Sequence, residues 1–221
     1  MRALEDRIRA LKARIQRACE DSGRDPAAVE LLPVSKRQDL TLVRAASRLG
    51  FQRYGENYVQ EGAGKAEAAP DLNFILIGPL QRNKVRQALK AFKEIQTLDR
   101  PELAQRLRRI AQEEGLVRPV WIQVDLWDEA SKAGGCSEEE LAKVIQSLEG
   151  DPALPLQGFM AIPPPGDASA FQALAGLRGT WQEKLGMPLK LSMGMTDDFE
   201  AAINAGSDQV RIGTAFFGER A

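Results

Sequence analysis

Between positions 2 and 21 apolar side chains recur at Leu4, Ile8, Leu11, Ile15 and Ala18, with arginine and glutamate between them. That spacing predicts one amphipathic helix packed on the outside of something larger. After the loop "SGRDPAA", positions 31–35 read as a buried strand. "DLTLVRAASRLG" follows as a helix with Asp39 as N-cap and Gly50 at its C-terminal end. The alternation then repeats: strand "FQRYGE", helix "NYVQEGAGKAEAA", strand "NFILIG", helix "QRNKVRQALKAF", strand "EIQTLD", helix "RPELAQRLRRIAQEEG". Strand "PVWIQVDL", helix "SEEELAKVIQSLEG", strand "LQGFMAIP", helix "DASAFQALAGLRGTWQEKLG", strand "KLSMG", helix "TDDFEAAINAG" and strand "QVRIGTAFFG" bring the count to eight strands. The helix after the last strand is expected to be missing or displaced.

Strands alternating with helices imply a parallel sheet covered on its faces. Eight such units in 221 residues predict an α/β fold, a (β/α)8 barrel with an extra N-terminal helix, as a single domain over 1–221. A doubly wound dinucleotide-binding sheet would carry GxGxxG at the first strand-to-helix turn. That turn reads "VSKRQD".

Composition narrows the chemistry. Thirty basic residues against 31 acidic ones leave a net charge of -1, so no general field draws the chain to nucleic acid or to membrane. The N-terminus is charged throughout and shows no signal-peptide core, and a cytoplasmic location is expected. Cys19 and Cys136 lie far apart without metal-ligand spacing, so neither a metal site nor a disulfide framework is expected. There is no histidine at all, which excludes every mechanism resting on a histidine base, triad or ligand. Chemistry must come from lysine, tyrosine, carboxylates or a cofactor.

In a barrel, alternate side chains of a strand face inward, and the C-terminal strand ends form the mouth where sites are built. Leu32, Val34 and Lys36 share one face, so a lysine ends a strand of core residues. Gln209, Arg211 and Gly213 share another, which turns an arginine into the interior. A buried arginine needs a partner, either a carboxylate such as Asp125 or a ligand. Gly194 and Gly213 leave backbone open to close approach, and Ser192 and Thr214 add hydroxyls beside them. Thr196 reads as an N-cap, and Asn57 of "GENY" either caps a helix or meets a ligand. Lys132 in "DEASKAGG" is a second lysine at the same end. "RRIAQEE" and "SEEELAK" are solvated helix faces. An amine opposite a phosphate cradle and an inward arginine points to a phosphorylated aldehyde, with pyridoxal 5′-phosphate as the obvious candidate.

The segments "VSK", "GENYVQE", "LQRNK", "MAIPPP", "SMGMTDDFEAAI" and "RIGTAFFG" resemble, in order and spacing over residues 31–218, the signatures of the pyridoxal phosphate homeostasis proteins. That family is similar in fold to the N-terminal barrel of alanine racemase. The resemblance implies that Lys36 forms an aldimine with pyridoxal phosphate and that Arg211 faces the pyridine nitrogen. It further implies that Ser192, Gly213 and Thr214 hold the phosphate, with Asn57 beside the ring. An arginine at that nitrogen disfavours its protonation and weakens the ring as an electron sink. The implied role is a non-catalytic carrier that buffers or delivers the cofactor. Apo pyridoxal phosphate enzymes are the implied partners, a monomer is the expected state, and no second domain follows. The competing readings are a racemase of the same fold and a barrel that binds another phosphorylated metabolite. One departure stands out: relatives commonly read "GHLQ" after the third strand, and Pro79 stands here in place of the histidine.

Overall fold

The computed structural model describes residues 2–127, 134–164 and 167–219. The first helix, α1 (Arg2–Asp21), buries Leu4, Ile8, Leu11, Ile15 and Ala18, the stripe its periodicity predicts, together with Cys19. Eight strands follow: β1 (Glu30–Pro33), β2 (Arg53–Glu56), β3 (Asn73–Leu76), β4 (Glu94–Leu98), β5 (Val120–Gln123), β6 (Leu156–Met160), β7 (Lys190–Ser192) and β8 (Gln209–Ile212). Between and after them lie α2 (Leu40–Ser47), α3 (Val59–Ala68), α4 (Val85–Ala91), α5 (Pro101–Glu113), α6 (Glu138–Gln146), α7 (Ala168–Leu185), α8 (Phe199–Asn204) and α9 (Thr214–Phe217).

The strands form one sheet in the order β1-β8-β7-β6-β5-β4-β3-β2, and every pair is parallel. Closure comes just beyond β1, where Val34 bridges Gly55 and the Ser35 amide donates to the Gly55 carbonyl at 2.9 Å. The result is the expected (β/α)8 barrel. The helix after β8 shrinks to the single turn α9, and α1 packs across α8 and α9. Arg7 on α1 donates to the Phe216 and Phe217 carbonyls at 3.1 and 2.9 Å, satisfying the otherwise open end of that turn.

Local signals set several helix starts. Asp39 accepts from the Thr41 amide at 2.7 Å as the N-cap of α2. Ser137 and Glu140 form a capping box on α6. Most of the apolar core lies between sheet and helices, with Tyr54, Phe74, Phe92, Phe159 and Phe199 fully buried there. Inside the barrel a separate apolar cluster, Leu32, Val34, Ile75 and Ile77, fills the β1–β3 side. The opposite side is polar: Gln96, Ser192, Gln209 and Arg211 are buried there.

Both cysteines are free and buried. Burial pushes the Cys136 thiol up to about 12, and desolvation raises that of Cys19, so neither is poised as a nucleophile. Among the described residues no helix is long and apolar enough to cross a membrane, and no group of three or more cysteine, aspartate or glutamate side chains could hold a metal ion.

Candidate functional site

A cavity of about 420 Å³ opens at the C-terminal mouth of the barrel, and Lys36, Asn57, Arg211, Gly213 and Thr214 all line it. A larger cavity of about 790 Å³ lies between the loop after β5 and helices α6 and α7. Its wall carries Asp125, Glu138, Glu139 and Glu140, a charge set that repels a phosphate. Size therefore does not select the site; the convergence of cation, amide and hydroxyl does.

Lys36 follows β1 in a segment tied on both sides. Before it, the Ser35 hydroxyl donates to Glu56 Oε1 at 2.6 Å, and the buried Lys65 ammonium donates to the Ser35 carbonyl at 2.6 Å. Lys65 also reaches Glu56 Oε1 at 2.7 Å and Glu61 Oε1 at 2.8 Å. After it, Arg37 adopts φ 57, a left-handed conformation that costs a non-glycine residue energy. The Arg37 amide donates to Glu61, and this bond helps hold the conformation. Ser35, Glu56, Glu61 and Lys65 thus form a clamp that aims the segment carrying Lys36. Sequence reasoning missed all four, although a lysine and glutamate spaced i, i+4 inside "QEGAGK" were a visible signal.

Glu56 is fully buried, and its Oε2 has no hydrogen-bond partner among the described residues. Desolvation pushes its carboxyl above the ordinary range, with Lys65 and Ser35 opposing. The direction follows from that half-satisfied burial.

Asn57 is not a helix cap: α3 begins at Val59, with Tyr58 at the N-cap position and no side-chain cap bond. Its backbone is instead held by a close approach from the segment after β3. A Cβ at Gly78 would stand 2.2 Å from the Asn57 carbonyl oxygen and 2.6 Å from its Cα. Thr97 Oγ1 donates to the Gly78 carbonyl at 2.8 Å and holds that glycine in place. Gly78→Ala is expected to push Asn57 out of position and to weaken ligand binding at the mouth, measured by titration with pyridoxal phosphate.

Arg211 does not pair with Asp125. Its Nη1 donates to the Ser192 carbonyl and hydroxyl, the latter at 2.9 Å, and its Nη2 donates to the Ala161 carbonyl at 2.7 Å. The Nε hydrogen and one Nη2 hydrogen keep no protein acceptor among the described residues, so two donors remain beside the cavity. Burial pulls the guanidinium down to about 10, with Asp198 opposing, so it remains a cation at neutral pH. Ser192 is fully buried beneath Arg211 and is not among the residues lining the cavity.

The two glycines differ. Gly194 sits at φ 93, and a Cβ there would press on Ala202 at 2.6 Å, so backbone and packing both require it. Gly213 has a negative φ of -100, and a Cβ would meet nothing closer than Val34 at 3.7 Å. Protein packing does not demand a glycine there; the space beside it belongs to the cavity, as a cradle for a ligand requires. Thr196 lines the same cavity and is not the cap of α8, whose N-cap is Asp198. Pro79 is exposed and does not line the cavity. Lys132 lies outside the described residues.

A parallel eight-stranded barrel with a lysine at the end of its first strand and an arginine in its last defines a class. Residues 7–221 match the family described as alanine racemase, N-terminal domain. A Clostridium difficile alanine racemase shares the fold at TM-score 0.75 and 14% identity, over 97% of this chain and 57% of that one. Closer in sequence is the pyridoxal phosphate homeostasis protein of Pseudomonas aeruginosa, 43% identical over 100% of this chain and 97% of that protein. The homologue of that name from Haemophilus influenzae is 39% identical over 98% of this chain and 96% of that protein. PipY of Synechococcus elongatus, solved with pyridoxal phosphate bound, superposes at TM-score 0.79 with 33% identity, over 93% of this chain and all of that one (100%). The chain belongs to the pyridoxal phosphate homeostasis family.

Proposed function

We propose that this protein holds pyridoxal phosphate at the barrel mouth and serves in its homeostasis, buffering the free cofactor or delivering it, without strong catalysis. The observation that carries this reading is the meeting of Lys36, Asn57, Arg211, Gly213 and Thr214 in one cavity. The cofactor supplies an aldehyde that condenses with a primary amine, releasing water, and a phosphate. Lys36 is the amine on the cavity wall. The phosphate has candidate donors in the Thr214 hydroxyl and the amides of Gly213 and Thr214, which make no hydrogen bonds within the described residues. Thr196 joins this set in place of the buried Ser192.

Arg211 offers its remaining N–H donors to the ring nitrogen. A permanent donor there keeps that nitrogen an acceptor and leaves the ring poorly able to stabilise a carbanion. Storage or delivery therefore fits the site better than racemisation, and apo enzymes that need the cofactor are its natural partners.

Borohydride reduction of the protein mixed with pyridoxal phosphate, followed by peptide mass mapping, tests the reading. A pyridoxyl group confined to Lys36 is expected. Label at Lys132 or scattered over surface lysines would overturn it, and turnover of an amino acid into its enantiomer would favour the racemase.

A further inference from the structure

The polar side of the barrel interior is one directed chain. At the base of the barrel, Arg53 joins two carboxylates: its Nε stands 2.8 Å from Glu30 Oε1, and its Nη2 donates to Glu94 Oε2 at 3.0 Å. The other oxygen of each carboxylate accepts from an amide. Gln209 Nε2 donates to Glu30 Oε2 at 2.8 Å, and Gln96 Nε2 donates to Glu94 Oε1 at 2.7 Å. An ionised carboxylate only accepts, so both glutamines must turn their NH2 groups toward the base and their carbonyl oxygens away from it.

Those carbonyl oxygens then meet the Ser192 hydroxyl, which lies 2.9 Å from Gln96 Oε1 and 2.8 Å from Gln209 Oε1. Gln96 Nε2 spends its second hydrogen on Gln209 Oε1 at 2.8 Å. With its single hydrogen committed downward, Ser192 has only lone pairs to offer upward, and Arg211 Nη1 donates to them at 2.9 Å. Apart from the lateral bond between the two glutamines, the donors along the path therefore point from the mouth toward the base. Gln96, Ser192, Gln209 and Arg211 are all at least nine-tenths buried, where such a chain is little screened by water.

We propose that Glu30 and Glu94 are positioning residues for Arg211, acting through Gln209, Gln96 and Ser192 to stabilise its cation and fix its rotamer from the opposite end of the barrel. Asp197 lines the mouth and Asp198 adds a favourable charge from that side, but the hydrogen bonds that hold Arg211 go to Ser192 and Ala161 rather than to a carboxylate. A carboxylate placed directly on Arg211 would have stabilised it more strongly but would also have repelled the ligand phosphate. The part of this inference that concerns the ligand ring rests on the cofactor reading above; the part that concerns Arg211 does not.

The test compares the full chain with the double variant Glu30→Gln, Glu94→Gln, and with Glu94→Gln alone should the double variant not fold. Both substitutions keep volume and remove charge. The first readout is the Arg211 guanidinium nitrogen resonance in protein labelled with 15N-arginine and free of cofactor, assigned with Arg211→Lys. The second is the ring-nitrogen shift and the affinity of added 15N-pyridoxal phosphate. The Arg211 resonance is expected to move and its side chain to rotate faster, with affinity falling about tenfold, or about 1.4 kcal/mol. A merely structural role at the base would lower the melting temperature while leaving the Arg211 resonance unmoved, and that outcome overturns the proposal. If wild-type protein binds no pyridoxal phosphate, the cofactor reading fails, and the Arg211 resonance still decides whether the relay exists.

Discussion

Lys65→Met is expected to lose about 3–5 kcal/mol of stability at neutral pH, the range for removing one partner of a buried ion pair. Lys65 and Glu56 are both buried, and the same ammonium serves Glu56, Glu61 and the Ser35 carbonyl. Its removal takes the charged donor from all three acceptors at once, leaving Glu56 with only the Ser35 hydroxyl, Glu61 with the Arg37 amide and the Ser35 carbonyl with the Gln38 amide. The loss should depend on pH in one direction. Burial already holds the Glu56 carboxyl above its ordinary value with Lys65 opposing, so without Lys65 it rises further. A carboxyl raised in the folded state contributes its stability below the unfolded value, and that contribution disappears as pH climbs through the folded one. The variant should therefore approach wild type in acid and fall behind as pH rises above the ordinary glutamate range. Denaturant unfolding at a series of pH values measures this. Glu56→Leu in the same background should restore part of the loss, because an apolar pair needs no countercharge. A single variant within about 1 kcal/mol of wild type at neutral pH would mean the clamp is not a stabilising element. Covalent loading at Lys36 should slow in the same variant, since the Ser35 and Arg37 anchors share Lys65 and its partner Glu61.

The second large effect is at the amine itself. Lys36→Arg keeps the positive charge on the cavity wall and replaces the primary amine with a guanidinium that stays protonated and does not condense with an aldehyde. The borohydride-stable adduct is expected to vanish completely. Weaker, rapidly reversible binding should remain through Asn57, Arg211, Gly213 and Thr214, seen by equilibrium dialysis. Unchanged affinity in this variant would show that Lys36 acts only as a charge, and the ligand would then be some other phosphorylated metabolite.

Much of this arrangement is readable along the chain because it depends on local periodicity. The α1 stripe follows from a 3.6-residue repeat alone, and all five expected positions, Leu4 to Ala18, are buried. Arg211 is turned inward by its alternation with Val210 and Ile212, which both lie in the core outside the sheet. The barrel follows from eight repeats of strand and helix.

The positions that the sequence left open are those whose surroundings are set by a distant segment. Asn57 and Thr196 each carry a good capping side chain in the right local context. The helices nevertheless take Tyr58 and Asp198 at their N-cap positions, while Gly78 packs on the Asn57 backbone and Thr196 stands on the cavity wall. Ser192 is a strand residue beside a glycine in sequence, and only the folded barrel places its hydroxyl under Arg211 and above two glutamines. Sequence by itself determined the elements and their inward faces, and it placed a lysine, Lys36, after the first strand, since covalent order and side-chain period decide these. Which buried polar group satisfies which other was decided by tertiary structure alone. Hydrogen bonds act over about 3 Å, and the groups they join here stand as far apart in the chain as Glu30 and Gln209.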